Sequence, residues 1–340
     1  MRLVCVQEQN RSDMKRVILI TGGGGYIGSH VVKELRRQGY RLLVYDNLST
    51  GHRWAIRQDE LIEADLGDRG RIEEVLYKEK PLAVMHFAAS SLVGESVERP
   101  ELYFRNNVIN SLNLLEAMLA CEVKYFIFSS SAAVYGNPRR VPIAEDHPLG
   151  PVNPYGEGKV FVERALRWHE EAHGLRHISL RYFNAAGADP AGELGEDHSP
   201  ETHLIPRVLN VAMGKTPFIE IYGTDYDTPD GTCIRDYIHV ADLAQAHILA
   251  LEALLNGSAS QVYNLGNQKG FSVKEVVDCA RMVASHPIPV RESSRRQGDP
   301  PVLVASSERI KKELDWKPRY DDLKIILETA WGWMKGGKRW

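Results

Sequence analysis

A tyrosine and a lysine four residues apart, Tyr155 and Lys159, are the first candidates for chemistry in this chain of 340 residues. On a helix, side chains at positions i and i+4 lie on the same face. A phenol with a pKa of about 10 is a poor base at neutral pH, but a neighbouring ammonium favours the phenolate and lowers that pKa. The pair therefore predicts a general base. Taken alone, such a pair is more often a solvated helix face. However, the two glycines between its members disfavour a helix and predict the close approach of another group.

A serine cluster is the second candidate, because Ser131 ends a run of three serines that follows the apolar run 125–128. In an open α/β sheet, ligands bind outside the carboxyl ends of the strands. A hydroxyl there can bond to a substrate oxygen, and an ordinary loop serine is the alternative.

A glycine-rich loop, TGGGGYIG at residues 21–28, follows one apolar run and precedes a helical pattern. Glycine admits the close approach of a pyrophosphate, and the helix N-terminus supplies free N–H groups and a partial positive charge. Asp46 follows Gly28 by 18 residues and ends the next apolar run. A carboxylate there binds the adenosine ribose hydroxyls and repels a 2′-phosphate. The sequence therefore predicts NAD rather than NADP; a structural turn with an unrelated aspartate is the alternative.

The elements that position these residues alternate along the chain. Short apolar runs predict strands at 17–20, 42–45, 61–64, 82–87, 125–128 and 178–182. Apolar residues at helical spacing predict helices at 26–38, 72–76, 107–119, 155–171, 204–213, 240–255 and 272–284. This alternation predicts an α/β fold with a Rossmann-like, doubly wound parallel sheet and helices on both faces.

The sequence changes character after Gly187, where loops rich in Gly, Pro, Asp and Glu become frequent. We therefore predict an NAD-binding Rossmann domain at 14–185 plus about 238–265. A smaller C-terminal α/β substrate domain would comprise 186–237 plus about 266–340. Residues 1–13 are predicted to be a flexible extension.

Composition excludes several classes of protein. The formal net charge is −3 and no basic run dominates, so nucleic acid is not an expected partner. The four cysteines are Cys5, Cys121, Cys233 and Cys279, which form no C-x-x-C pair. That pattern predicts neither a disulfide scaffold nor a zinc site, and no metal is expected; it fits the reducing cytoplasm. No apolar run approaches the roughly 18 residues of a membrane span.

Longer strings carry a resemblance over about residues 16–335. They are TGGGGYIGSH at 21–30, YDNLSTGH at 45–52, HFAASSLVGESV at 86–97, FSSSAAVYG at 128–136, LRYFNAAGA at 180–188 and GTCIRDYIHV at 231–240. With Ser131, Tyr155 and Lys159 they resemble the extended short-chain dehydrogenase/reductase superfamily and, within it, the UDP-glucose 4-epimerases.

The resemblance implies NAD-dependent C4 epimerisation of a UDP-hexose, UDP-galactose to UDP-glucose. Hydride would pass transiently to bound NAD⁺, leaving a 4-keto sugar that turns over in the pocket. Tyr155 would take the proton of the sugar 4-hydroxyl, and Ser131 would shuttle or orient that proton. Lys159 would hold the nicotinamide ribose and tune Tyr155.

The resemblance also implies two larger sets of contacts. The cofactor set is Gly22, Gly25, Tyr26, Ile27, Gly28, Asp46, Asn47, Asp65, Leu66, Phe87, Ala88, Ala89, Asn106, Tyr155, Lys159 and Tyr182. The UDP-sugar set is Ser131, Tyr155, Phe183, Asn184, His203, Leu204, Glu220, Tyr222, Arg235, Arg296, Asp299 and Leu303. Arginines suit a pyrophosphate through charge-assisted forked bonds; for Arg235, a surface ion pair with Asp236 is the alternative. On their own, His203 and His239 are interpreted as packing or loop histidines.

Three positions depart from the pattern of the family. Many members carry a lysine where this chain has Ser91, which removes a cationic contact near the cofactor pyrophosphate. His203 replaces an asparagine found in some members. Members strict for UDP-glucose and UDP-galactose tend to have a tyrosine where this chain has Leu303. A smaller side chain enlarges the pocket, and we therefore hypothesise that UDP-N-acetylhexosamines also enter.

The same fold also carries other functions, and the sequence disfavours some of them more strongly than others. Nucleotide-sugar dehydratases carry an Asp-Glu pair just after the Ser/Thr, where this chain has Ala132-Ala133; elimination is therefore disfavoured. Epimerases of UDP-pentoses or UDP-glucuronate remain alternatives. A non-catalytic NAD-sensing protein would be expected to lose Tyr155 or Lys159, and both are present. The resemblance suggests a homodimer through helices 102–120 and 154–172, whose apolar residues could equally be intrachain core.

Overall fold

The computed structural model describes residues 17–56, 60–296 and 298–336. The expected extension, residues 1–13, lies outside the described residues. A parallel sheet of seven strands forms the centre, in the order β10-β6-β5-β4-β1-β2-β3. Its strands are β1 (Val17–Thr21), β2 (Arg41–Asp46), β3 (Glu60–Glu63), β4 (Ala83–His86), β5 (Tyr125–Ser131), β6 (Arg176–Tyr182) and β10 (Gln261–Leu265). The strand order reverses between β1 and β4, and ligands bind outside the carboxyl ends of strands at such a reversal.

Helices cover both faces of this sheet. In chain order they are α1 (Tyr26–Arg37), α2 (Arg53–Ile56), α3 (Arg69–Glu79), α4 (Val93–Glu98), α5 (Pro100–Tyr103), α6 (Asn110–Ala120), α7 (Pro154–His173), α8 (Leu204–Ala212), α9 (Val240–Leu255), α10 (Val273–Ala284), α11 (Glu308–Leu314) and α12 (Leu323–Gly336). Alternate residues of β1 enter two different cores, Ile18 and Ile20 on one face and Val17 and Leu19 on the other. Burial on both faces explains the continuous apolar run.

A second, smaller unit follows the sheet. It contains β7 (Asn184–Ala186), β9 (Ile234–His239), β11 (Gly270–Ser272) and β13 (Val302–Leu303) in one sheet, and β8 (Ile219–Tyr222) with β12 (Val290–Ser293) in another. Its own core joins apolar residues of α8, α10 and α12. The sequence indicated the helices α8 and α10, but it missed all six short strands.

Two observations bear on how the two units share the chain. Strand β10 pairs with β6 in the large sheet, so the segment after α9 adds a strand to that sheet. Ile310 and Trp316, which the sequence interpretation placed in the substrate domain, instead pack in the core of the first unit. The segment that contains these two residues therefore packs against the first unit.

The helix predicted at 107–119 differs at its start, because a π-helical turn, Phe104–Ile109, precedes α6. Asn107 within that turn accepts from Ser90 N and donates to Ser90 O, each at 2.8 Å. Widened turns of this kind occur frequently at functional sites. Among the described residues, no helix combines the length and apolar character needed to cross a membrane.

Candidate active site

The glycine loop between β1 and α1 is packed too closely for side chains. A Cβ on Gly22, whose φ is +74°, would lie 2.4 Å from Ala88 N, and one on Gly28 would lie 2.3 Å from Gly22 O. Gly25 precedes α1, and no side chain caps the N–H groups of its first turn. The loop therefore presents bare backbone and a free helix N-terminus, which is what a dinucleotide pyrophosphate requires.

The carboxyl end of β2 forms an acidic edge beside this loop. Asp46 accepts hydrogen bonds from Gly24 N and Leu48 N, each at 2.8 Å. Burial raises the pKa of the Asp46 carboxyl, although these two amides oppose the shift. Asn47 donates to Asp65 Oδ2 at 2.6 Å. The edge can receive the hydroxyls of an adenosine ribose, and its negative charge opposes a 2′-phosphate.

The candidate base lies where α7 meets the end of β5. A short 3₁₀ turn, Ala132–Tyr135, follows Ser131 and packs against the first turn of α7. A Cβ on Gly156 would lie 2.6 Å from Ala133 O, so the predicted close approach within the Tyr-x-x-x-Lys motif is confirmed at this glycine. Ser131 Oγ accepts from Ala133 N at 3.1 Å, and Ser131 lies close enough to the buried Tyr155 hydroxyl to influence its pKa.

Burial dominates the electrostatics of this pair. Burial raises the pKa of Tyr155, and Ser131 only partly opposes that shift. Burial also lowers the pKa of Lys159 to about 7, while Glu163 opposes the shift. Lys159 Nζ donates to Ser129 O at 2.7 Å and lies 5.6 Å from the centre of the Tyr155 ring. Burial is the largest influence on the pKa of Tyr155, and the lowering of that pKa by Lys159 stays a prediction.

Other predicted cofactor residues lie after β4, in the π-helical turn and at the end of β6. Ala88 and Ala89 follow β4, and the Phe87 ring lies 4.8 Å from that of His247. Asn106, in the π-helical turn, donates to Ser90 Oγ at 3.1 Å. The Tyr182 hydroxyl bonds to the Ser129 hydroxyl, and burial raises the pKa of Tyr182.

Charged residues of the predicted UDP-sugar set meet in the smaller unit. Arg235 pairs with the carboxylate of Asp299 and lies opposite Leu303 in the β9–β13 register. The alternative ion pair with Asp236 is wrong, since Asp236 is buried and accepts backbone N–H groups of Asn267, Gln268 and Ala305.

A second group of that set lies along β8. The Arg296 guanidinium stacks over the Tyr222 ring at 4.1 Å, and the Tyr222 hydroxyl donates to Glu220 at 2.6 Å. Leu303 packs with Ala132 against the apolar cluster that contains Phe183. Because Ala132 adjoins Ser131, this wall lies close to the candidate base.

The other predicted substrate residues lie at the boundary between the two units. Asn184 pairs with Tyr237 at the start of β7, and Leu204 begins α8. His203 precedes α8, and its Nδ1 lies 2.6 Å from Glu196 Oε1. His239 is a packing residue, as interpreted: it is fully buried, and its Nδ1 accepts from Ala241 N at the start of α9.

Comparisons with known proteins agree with this geometry. Residues 18–266 match the model of the NAD dependent epimerase/dehydratase family. A UDP-glucose 4-epimerase of Halalkalibacterium halodurans is 52% identical over 318 residues, 94% of this chain and 95% of that protein. The chain belongs to the UDP-glucose 4-epimerase family.

Solved structures of the same family are similar to this fold. A UDP-glucose 4-epimerase from Brucella ovis in complex with NAD has a TM-score of 0.91 and 49% identity, covering 93% of this chain and 97% of that one. The UDP-Glc/GlcNAc 4-epimerase from Campylobacter jejuni has a TM-score of 0.83 and 42% identity, covering 94% and 99%. NAD is therefore the cofactor.

Sequence reasoning missed two clusters in this epimerase. Glu163, Arg181 and Ser130 form a buried network beneath α7, and nothing in their spacing indicates it. Glu196, His198, Glu201 and His203 converge in the loop before α8. The pattern E-x-H-x-x-E-x-H could have indicated that second cluster, had histidines and glutamates been weighed together rather than cysteines alone.

Proposed function

We propose that this chain interconverts UDP-galactose and UDP-glucose by epimerisation at C4, with NAD bound throughout. The observation that carries the proposal is the buried Tyr155, which lies beside Ser131 at the carboxyl end of β5. Two strands away in the sheet, β1 delivers the glycine cradle. A base and a dinucleotide cradle at one edge of the sheet suit reversible oxidation of a sugar hydroxyl.

Each residue of the site has its own role in the reaction. Bound NAD supplies the acceptor and donor of the hydride at C4. Tyr155 removes the proton of the 4-hydroxyl and returns it, while Ser131 orients that hydroxyl. Because burial raises the pKa of Tyr155, a further cation is needed to favour the phenolate, and Lys159 and the oxidised nicotinamide are the available sources. Arg235 and Arg296 hold the UDP pyrophosphate.

The groups near Tyr155 favour epimerisation over elimination of water. Ala132 and Ala133 form the turn after Ser131, and neither side chain can transfer a proton. Elimination needs a second acid–base pair at that place. UDP-pentoses and UDP-glucuronate remain alternative substrates and are separate arms of the test.

The test is equilibration of separate UDP-sugars by purified full-length protein with no added NAD, followed by quantification of the C4 epimers. We expect conversion of UDP-galactose to UDP-glucose. Turnover of a UDP-pentose or of UDP-glucuronate, with UDP-galactose untouched, would shift the assignment to that substrate. If nothing turned over even with added NAD, the proposal would be overturned.

Substrate breadth is a finer proposal, and it rests on Leu303. This side chain packs in the wall that contains Phe183 and Ala132, where a tyrosine would project further into the pocket. We expect turnover of UDP-N-acetylgalactosamine by the wild type, and loss of that turnover in Leu303→Tyr, which keeps UDP-galactose. The Campylobacter jejuni relative is likewise named for two substrates, as a UDP-Glc/GlcNAc 4-epimerase. Wild-type protein that leaves the N-acetylated sugar unchanged would contradict the Leu303 argument alone.

We also propose a homodimer and a cytoplasmic location. Exposed aromatic side chains, Phe161 and Trp168, project from one face of α7, which is one of the two helices assigned to the interface from the sequence. Exposed patches of this kind mark protein contacts. The thiols of Cys121, Cys233 and Cys279 are free, which fits a reducing compartment.

A further inference from the structure

Four side chains of metal-ligating type converge in the loop between β7 and α8, where the His198 ring lies 6.2 Å from the ring of Tyr26 at the start of α1. They are Glu196, His198, Glu201 and His203, and one ligand atom of each lies within 4.8 Å of the others. Two imidazole nitrogens with two carboxylate oxygens form a donor set that suits Zn²⁺ and neighbouring divalent first-row cations.

The carboxylate oxygens and imidazole nitrogens of this cluster lie within a few ångströms of one another. Glu196 Oε1 lies 2.6 Å from His203 Nδ1 and 3.2 Å from His198 Nδ1. Glu201 Oε1 lies 3.3 Å from His203 Nδ1, and Glu201 Oε2 lies 3.7 Å from His198 Nδ1. Tetrahedral Zn²⁺ with bonds of about 2.0–2.1 Å holds its ligand atoms about 3.3 Å apart. The four His–Glu distances lie on both sides of that value, so a bound ion would require the side chains to move.

A second observation points to a ligand at the centre of the cluster. The Glu196 side chain is only 7% exposed. Its Oε1 and the Nδ1 atoms of His198 and His203 are buried, and they lie within ion-pair distance of one another without hydrogen-bond geometry. The atoms are close, but they are not aligned for N–H···O bonds. Buried polar atoms without partners are costly, and one cation between them would satisfy all three.

We propose that Glu196, His198, Glu201 and His203 bind one divalent transition-metal ion, for which Zn²⁺ is the probe. With four protein donors the coordination is closed, so the ion would be structural and would hold no substrate. Its two net positive charges would balance the two carboxylates.

The location suggests what such an ion stabilises. Tyr26 donates to Gly187 O at 2.6 Å, and Trp333 Nε1 donates to Glu196 O at 3.2 Å. These bonds anchor the loop to the start of α1 and to α12. His203 immediately precedes α8, whose first residue, Leu204, belongs to the predicted UDP-sugar set. The ion would therefore join the two ends of the loop 196–203 and fix the start of α8.

The test strips the purified full chain with a chelator and titrates it with ZnCl₂. Bound metal is counted by mass spectrometry, and affinity is measured by calorimetry. We expect one Zn²⁺ per chain with a Kd below about 1 μM. The unfolding midpoint should rise by about 4 °C or more with metal in 100-fold excess over Kd. Co²⁺ in place of Zn²⁺ should give the visible absorption of a tetrahedral site.

Variants separate this site from chance binding to histidines. His198→Gln with His203→Gln should weaken Zn²⁺ binding by more than about 100-fold. His169 and His173, whose rings lie 5.8 Å apart on α7, supply the matched control: His169→Gln with His173→Gln should leave the stoichiometry at one. If the cluster variant does not fold, Glu201→Gln and the Co²⁺ spectrum of the wild type decide.

Two outcomes would overturn the metal site. One is the absence of stoichiometric binding in the wild type, which would mean that protons on the histidines balance the carboxylates. The other is equal binding in the wild type and the cluster variant. The effect on substrate rests on the proposed function: metal removal should raise KM for UDP-galactose more than it lowers kcat. Inactive protein that still binds one Zn²⁺ would contradict the function and leave the metal site standing.

Discussion

At the scale of single residues, the environment of Tyr155 decides what the chain can do. Burial raises the pKa of its hydroxyl, and only Ser131 among its neighbours opposes that shift. A phenol in this state needs a neighbouring positive charge to lose its proton near neutral pH, and Lys159 and the oxidised nicotinamide are the available sources. We expect proton removal to be most effective once the cofactor is bound, which suits an enzyme that has to keep a reactive 4-keto sugar within its pocket.

Replacement of this hydroxyl gives the first prediction. Tyr155→Phe should lower kcat by about 10²–10⁴-fold, the usual contribution of a general base, with the NAD content unchanged. The measurement is C4 epimerisation of UDP-galactose together with cofactor quantification. Tyr263→Phe is the control, because that buried hydroxyl donates to Glu313 at 2.8 Å and not to a site residue. Full activity in Tyr155→Phe would show that another group is the base.

Lys159 gives a prediction about pH. Burial lowers its pKa from 10.5 to about 7, so between those values the unfolded chain binds more protons than the folded one. The contribution of Lys159 to the free energy of unfolding must then rise with pH between these two values. From pH 7 to pH 9, the unfolding free energy of the wild type should gain about 2 kcal/mol relative to Lys159→Met. Denaturant unfolding of cofactor-free protein measures it; a difference independent of pH would contradict the assigned pKa.

At the scale of elements, α7 is fastened to the sheet by charge as well as by apolar packing. Glu163 accepts from Ser130 Oγ at 2.6 Å and from Arg181 Nη2 at 2.6 Å. Its side chain and that of Arg181 are 7% and 6% exposed. Because Glu163 lies one turn after Lys159 on the same helix, this network fixes the angle at which the Tyr155 face meets β5.

The network should be sensitive to loss of a single charge. Glu163→Gln leaves the buried Arg181 guanidinium uncompensated, which should cost about 3–5 kcal/mol of unfolding free energy. Glu171→Gln on the exposed side of the same helix removes a 3.8 Å pair with Arg167 and should cost less than about 0.5 kcal/mol. Denaturant unfolding compares the two, and equal small losses would show that the buried pair contributes little.

At the scale of the whole molecule, the outer face of α7 is unusually apolar for an exposed surface. Phe161 and Trp168 are 50% and 60% exposed, and Phe104 and Ile109 of the adjacent π-helical turn are 42% and 47% exposed. Residues seven apart share a helix face, so the two aromatic rings form one patch. The sequence left Leu115 and Leu166 open between interface and core, and the structure buries both in the chain's own core.

The molecular mass in solution tests whether this apolar patch forms the interface of a dimer. Wild-type protein should have twice the chain mass by light scattering after gel filtration. Phe161→Glu with Trp168→Glu should be monomeric, since buried charge without a partner opposes association. Tyr77→Glu, at a position 74% exposed on α3, is the control and should stay dimeric. A monomeric wild type would contradict the proposal.

The sequence by itself determined six of the seven strands of the large sheet and indicated the candidate residues at its edge. Short apolar runs, glycines and Asp46 are local signals, because a doubly buried strand and a tight phosphate loop each impose a pattern on adjacent residues. The predicted strands of the first unit all occur, with ends shifted by one to three residues. The Tyr-x-x-x-Lys pair was likewise visible, since one helix holds both members.

Tertiary structure decided the rest. Strands of the second unit are only 2–6 residues long, too short for periodicity to reveal. The partner of Arg235 is Asp299, 64 residues away, and not the adjacent Asp236. The pKa of Tyr155 depends on how much water its neighbours exclude. The convergence of Glu196, His198, Glu201 and His203 depends on the path of one loop. Burial and long-range pairing are properties of the assembled fold, and spacing along the chain does not encode them.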